Sequence, residues 1–232
     1  MAAGLQTDRH PRRAGPAVRG AEGKNGRVSE ETQARTRNRW GEGERLRGEI
    51  LAAASTLLSE LDGEDALTIR GVARAVGIAP ASIYQHFSDR AALVSGLTEH
   101  EFGRLRVAME TAASAVPEGD ALGRVRALLH AYCRFAMANP GHYRLMTANG
   151  ASRSSPDVRP QGPMIDLIDL MTAAFAQCAE TGEVLRVPAE RAGVIAFVGV
   201  HGRVALFHAN ARQPSAEAVV SFADELVGLV FE

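Results

Sequence analysis

Between Gly77 and Arg90 the chain runs GIAPASIYQHFSDR, and the polar side chains between Pro80 and Phe87 are of one kind. Ser82, Tyr84, Gln85 and His86 are neutral hydrogen-bonding groups set around two apolar anchors, Ile83 and Phe87. On a helix, residues four apart share a face, so the anchors turn inward together. Pro80, Ala81, Ser82, Tyr84, Gln85 and His86 are then left on the outer side. This set suits non-covalent recognition. Glutamine can pair with adenine, and alanine or proline can touch a thymine methyl. Tyrosine, serine and histidine can reach phosphate oxygens.

The flanking residues specify how such a segment would be held. In LTIRGVARAVG, Thr68 is placed to cap a short helix whose Ile69, Val72 and Val76 share one face. Gly77 can take the left-handed conformation that ends it. Pro80 then stands at a first helical position, where its missing N–H is harmless. Two short helices joined by a glycine-containing turn, over about residues 68–87, make a helix-turn-helix, whose second helix enters a DNA major groove. Arg70 projects from the start of the first helix. Asp89 is a natural cap for a long helix from Arg90 to about residue 116, and Arg90 lies in its first turn, where backbone amides also favour an anion. Charge supports a basic face, not a basic domain. Arg70, Arg74 and Arg90 against Asp89 give +2 over 68–90, whereas 41–107 holds seven basic and ten acidic residues.

The remaining elements are helical too. Leu46, Ile50, Leu51, Ala54, Leu57, Leu58 and Leu61 recur at three- and four-residue spacing and predict a leading amphipathic helix. The long third helix has Leu93, Val94, Leu97, Leu105 and Met109 inward. Helices are expected over ALGRVRALLHAYCRFAMA, over GHYRLMTAN, and over about 164–180, 188–210 and 215–231, with a Gly, Ser and Pro loop at 149–163. No strand-like alternation of any length is present, so the fold class is all-α. Residues 1–41 carry nine of the chain's basic residues against four acids and no apolar period; they are expected to be a disordered basic tail. Residues 42–107 are then the helix-turn-helix domain, and 108–232 a second helical domain.

Composition excludes several classes. A net charge of −1 over 232 residues gives no general affinity for polyanions. Cys133 and Cys178 sit in apolar helical patterns and are expected to be buried thiols, not a disulfide framework. No run of about 18 uninterrupted apolar residues predicts a membrane span, and the arginines at the start are followed by no apolar stretch of a secretory signal. His201 and His208 lie seven apart without a third ligand at metal spacing. No phosphate loop, nucleophile elbow or carboxylate pair occurs. The expectation is a cytoplasmic, nucleoid-associated protein that is not an enzyme and uses no metal or cofactor.

The run LTIRGVARAVGIAPASIYQHFSDRAALV, with its Tyr-x-His-Phe core at Tyr84, His86 and Phe87, resembles the TetR family of bacterial transcription regulators over residues 44–107. The resemblance implies phosphate and base contacts at Thr68, Arg70, Ala79, Pro80, Ala81, Ser82, Tyr84, Gln85, His86 and Arg90. Ala79 departs from the serine or threonine common there, which forgoes about 1 kcal/mol of capping. The C-terminal half resembles one subgroup with a Trp-x-x-x-His-Gly helix, with Phe197 in the tryptophan position before His201 and Gly202. The family implies a ligand-responsive repressor that binds a palindromic operator on double-stranded DNA as a homodimer. The small residues Ala192, Ala196, Gly199 and Gly202, with Val219, Phe222, Ala223, Leu226 and Val230, are the expected dimer surface. An apolar pocket for a small apolar or amphipathic effector is expected from Phe102, Leu105, Met109, Tyr132, Phe135, Met137, Tyr143, Met146, Met164, Leu167, Met171, Phe175 and His201. The competing readings are an all-helical enzyme, or a partner-binding helical protein, in which the helix-turn-helix is incidental.

Overall fold

The computed structural model describes the backbone of residues 25–60, 66–149, 161–209 and 215–232, with side chains from residue 41. Among these residues the protein is all-helical, with α1 (Asn25–Glu60), α2 (Ile69–Val76), α3 (Pro80–Ile83), α4 (Arg90–Ser114), α5 (Ala121–Ala138), α6 (Pro140–Asn149), α7 (Pro163–Glu180), α8 (Ala189–Ala209) and α9 (Ala216–Val230). An isolated antiparallel bridge joins Leu185 to Phe231. The chain divides into two units, Met1–Glu42 and Gly43–Glu232.

The expected basic tail is corrected in part. Its residues 1–24, like Leu61, lie outside the described residues, but α1 already begins at Asn25. Glu30, Glu31, Gln33, Ala34 and the arginines that follow are good helix formers without an apolar stripe, and extending a helix costs far less than nucleating one. Apolar periodicity detects buried faces and so misses a helix of this kind.

Within the second unit the local signals act as the residue types dictate. Thr68 caps α2 by accepting from Gly71 N at 3.0 Å, and Asp89 caps α4 by accepting from Ala92 N at 2.8 Å. Gly77, at φ 79°, ends α2, and its amide donates back to the Ala73 carbonyl. Asp120 and Ser215 cap α5 and α9 in the same way.

Two apolar cores result, and α4 belongs to both. The first holds Ile50, Leu51, Ala54 and Leu58 of α1, Val72 and Ala73 of α2, Ile83, Phe87, and Leu93, Val94 and Leu97 of α4. Leu145 of α6 joins this core, although it lies far along the chain. The second begins at Phe102 and Leu105 of α4 and takes in the inward faces of α5 to α9, including Cys133 and Cys178. Burial pushes these thiols up, to about 12 and about 11, so neither is a thiolate nucleophile at neutral pH. The two cores meet on α4 between Leu97 and Phe102. By length and composition α8 could cross a membrane, but its Ala192, Gly193, Ala196, Phe197, Val200 and Val204 are packed into the second core.

Candidate nucleic-acid interface and buried pocket

The recognition segment is shorter as a helix than its spacing predicts. Only Pro80–Ile83 is α-helical; Tyr84–His86 form a closing turn. Ala79 makes no side-chain cap, so the segment lacks a terminal hydrogen bond that serine or threonine would supply. Its direction is held from inside instead. Phe87 N donates to the Ile83 carbonyl at 2.9 Å, and both side chains are buried. A Cβ on Gly96 of α4 would stand 2.8 Å from the Phe87 ring, so only glycine there lets the ring lie against α4. From α1, the Arg47 guanidinium covers the same ring, 5.1 Å from its centroid. Gly96 and Arg47 carried no sequence signal, because their importance depends on a contact between separate helices.

Thr68, Arg70, Ala79, Pro80, Ala81, Tyr84 and Gln85 are exposed, and Ser82, His86 and Arg90 are half-buried. These ten residues thus lie along one continuous stretch of chain around the α2–α3 turn. Arg90 has a structural task as well: its Nε donates to the Leu67 carbonyl at 2.9 Å, tying the start of α4 to the residue before the α2 cap.

Farther along α4, Phe102, Leu105, Tyr132, Phe135, Ala136, Tyr143, Met146, Thr147, Met164, Leu167 and His201 surround a cavity of ≈ 10 Å³, about the room that one water molecule needs. Nine of the thirteen expected pocket residues (Phe102, Leu105, Tyr132, Phe135, Tyr143, Met146, Met164, Leu167 and His201) line it. Met109, Met171, Phe175 and Met137 do not: the first three are fully buried in the second core, and Met137 is partly buried against it. An inward helical position means either core or pocket wall, and periodicity alone does not distinguish them.

His201 closes the pocket within a neutral polar cluster. Its Nδ1 lies 2.7 Å from the Tyr132 hydroxyl, and Tyr143 donates to the His201 carbonyl at 3.2 Å. Phe197 stacks on the imidazole, centroids 5.9 Å apart. Burial lowers the His201 pKa, raises Tyr132 well above 10.0 and pushes Tyr143 up to about 12. All three groups are therefore uncharged at neutral pH. His208 pairs instead with the Ala136 carbonyl at 3.0 Å.

A second polar cluster lies between α1, α4 and α6. Glu101 is 0 % exposed and His142 1 %. Arg104 Nη1 donates to Glu101 Oε2 at 2.9 Å and to Ser55 Oγ at 3.0 Å. His142 Nε2 lies 3.1 Å from both the hydroxyl and the carbonyl of Ser55. Because the carbonyl can only accept, Nε2 carries a proton. Among the described residues, Glu101 Oε1 and His142 Nδ1 have no hydrogen-bond partner. Glu101 was detectable from sequence, since it interrupts the apolar row Leu97, Glu101, Leu105 at four-residue spacing. Ser55 and His142 were not, being 87 residues apart.

The expected dimer surface is largely inside the subunit. Ala196, Ala223 and Val230 are buried, and Gly199 faces Leu226 so closely that a Cβ would meet its side chain at 2.5 Å. Phe222 lies under Arg203, and Gly202 is open. The apolar groups that α8 and α9 leave outside are Val194, Ile195, Val198, Leu206 and Leu229. Because α8 is apolar on both sides, its sequence does not say which face turns in.

Comparison with known proteins agrees with this architecture. Residues 50–97 match the family model for bacterial regulatory proteins of the tetR family, and residues 125–229 match that for the tetracyclin repressor-like C-terminal domain. The chain is 34% identical over 107 residues to the nucleoid occlusion factor SlmA of Aliivibrio fischeri, and 30% over 105 residues to that of Vibrio campbellii. Each match takes in 44% of this chain and 52% of the relative, so the chain spans about half the length of the curated relatives it matches. A Rhodococcus sp. RHA1 protein of unknown function superposes with a TM-score of 0.65 at 29% identity, over 81% of this chain and 96% of that one. The TetR-family regulator PfmR of Thermus thermophilus shares the fold, with a TM-score of 0.54 at 21% identity over 77% and 97%. With both halves matched in order on one all-helical chain, the protein belongs to the TetR family of DNA-binding bacterial transcription regulators.

Proposed function

We propose that the protein is a ligand-responsive repressor that binds a palindromic operator as a homodimer. The observation that carries this reading is the double membership of α4. Its first turn is capped by Asp89 beside the recognition segment, its Leu93, Val94 and Leu97 pack in the first core, and its Phe102 and Leu105 line the pocket. A small apolar or amphipathic effector entering so narrow a space must part its walls. It would thereby prefer one arrangement of α4 over another, which is the condition for shifting an equilibrium. A palindrome requires two recognition segments about 34–36 Å apart, so a tilt of α4 would spoil simultaneous engagement. The exposed Val194, Ile195, Val198, Leu206 and Leu229 supply an apolar face for the second copy.

Arg70 and Gln85 are the proposed base-reading groups, and Thr68, Tyr84, His86 and Arg90 the proposed phosphate contacts. Ala79, Pro80, Ala81 and Ser82 complete the surface. The test is a gel shift with DNA from upstream of the protein's own coding sequence, followed by footprinting. A symmetric footprint with two half-sites is expected. Gln85→Ala should relax base preference by about 1–3 kcal/mol, whereas Tyr84→Ala should weaken all sequences alike. A symmetric site bound equally well after Tyr84→Ala, Gln85→Ala and Arg70→Ala together would refute the assignment. Sedimentation of a Val198→Glu/Leu206→Glu variant tests the dimer, which should dissociate.

A further inference from the structure

We propose that Arg104 is a positioning residue through which the pocket wall controls how the DNA-binding unit is seated. The inference rests on the ligand-responsive reading above and assigns it a specific route. Arg104 faces two ways. Its Nη1 holds Glu101 Oε2 and Ser55 Oγ, so it binds α4 to α1 inside the polar junction. Its guanidinium carbon also lies over the Phe135 ring, 5.7 Å from the centroid, and Phe135 is a wall of the pocket. One planar cation thus touches both places, for which the guanidinium's flat, multiply donating form is better suited than an ammonium's point charge.

The junction can transmit a displacement because it is tight in one part and incomplete in another. A Cβ on Gly141 would stand 2.9 Å from the Leu58 carbonyl oxygen, so the start of α6 lies directly on α1. His142 holds Ser55 from that side. Glu101 has Arg104 as its short contact, with His142 Nε2 farther off at 3.8 Å, and its Oε1 has no partner. Ser55 and Glu101 share one donor, so displacing Arg104 takes a hydrogen bond from two buried polar groups at once, which is costly in a low-dielectric interior. An effector that pushes Phe135 aside draws the guanidinium with it. Ser55 and Glu101 then lose their shared donor, and α1 is released from α4.

A pocket-filling substitution replaces the unknown effector in the test. Ala136→Phe places a ring in the cavity, and Ala136→Leu is the milder version should the first fail to fold. Each is combined with Arg104→Lys, which keeps the positive charge for Glu101 but loses the flat contact with Phe135. Operator affinity and hydrogen exchange over residues 50–58 and 141–146 are measured for each filling variant and for the unfilled protein, with arginine and with lysine at 104. Filling the pocket should lower affinity at least about 5-fold and speed exchange in both segments, and Arg104→Lys should shrink both effects to within about 2-fold. If filling acts equally with arginine or lysine at 104, the route through Arg104 is wrong and the ligand-responsive reading stands. If exchange responds through Arg104 while operator affinity does not, the junction is as proposed and the ligand-responsive reading fails. If neither responds, both are overturned.

Discussion

Among the described residues, two polar clusters stand inside apolar surroundings, and they are built on opposite terms. At the junction of α1, α4 and α6, a fully buried carboxylate depends on one partly exposed arginine, and two polar atoms have no partner. At the pocket, Tyr132, Tyr143 and His201 are neutral, and each hydroxyl has a bonding partner. A dry charge is costly unless compensated, so the junction is all-or-nothing. Neutral hydroxyls and imidazoles lose much less when separated. The difference sets a division of labour: one cluster fixes three helices against one another, and the other costs less to separate, as the proposed entry of an effector requires.

The strongest way to break this comparison is Arg104→Ala. It leaves Glu101 buried without its cation, and the loss should be about 3 kcal/mol, at the low end for a buried pair because Arg104 reaches solvent. A urea midpoint shift at constant slope would measure it. A loss no larger than for an exposed arginine such as Arg45 would show that the junction is not held by charge. Glu101→Gln should follow at about 2 kcal/mol, since the shape survives but the charge-assisted bond does not.

The pocket cluster should respond less. Tyr132→Phe removes the hydroxyl 2.7 Å from His201 Nδ1 and should cost about 1 kcal/mol. A cost matching that of Glu101→Gln would erase the contrast between the clusters. The smallest expected effect is on pH dependence. Burial holds the His201 pKa below its ordinary 6.5, so just beneath that pH the unfolded chain binds more protons than the folded one. Stability contributed by keeping this ring neutral is therefore complete above about 6.5 and falls as pH drops toward the folded value. His201→Gln should flatten that part of a stability-against-pH curve. If it leaves the curve unchanged, His201 is not the group responsible.

Legibility in sequence followed the range of the interaction. Thr68, Gly77 and Asp89 act on amides within a few residues, and their roles could be assigned from residue type and position alone. The inward turn of Ile83 and Phe87 was equally plain. By contrast, α8 is apolar on both faces, so Ala196 was expected at a dimer surface and stands in the core, while Val198 stands outside. Met109, Met171 and Phe175 have the same spacing as true pocket residues and differ only in what lies opposite them.

The sequence by itself determined the all-helical class, the order of the helices and the polar segment offered outward beside Phe87. Capping, periodicity and turn chemistry are local, and each is encoded within about one or two helical turns. Only the tertiary structure decided that Leu145 returns to the first core, that Ser55 meets His142, and that the pocket has closed to ≈ 10 Å³. Those outcomes depend on how separate helices pack and on the entire volume between them, which no local pattern of residues specifies.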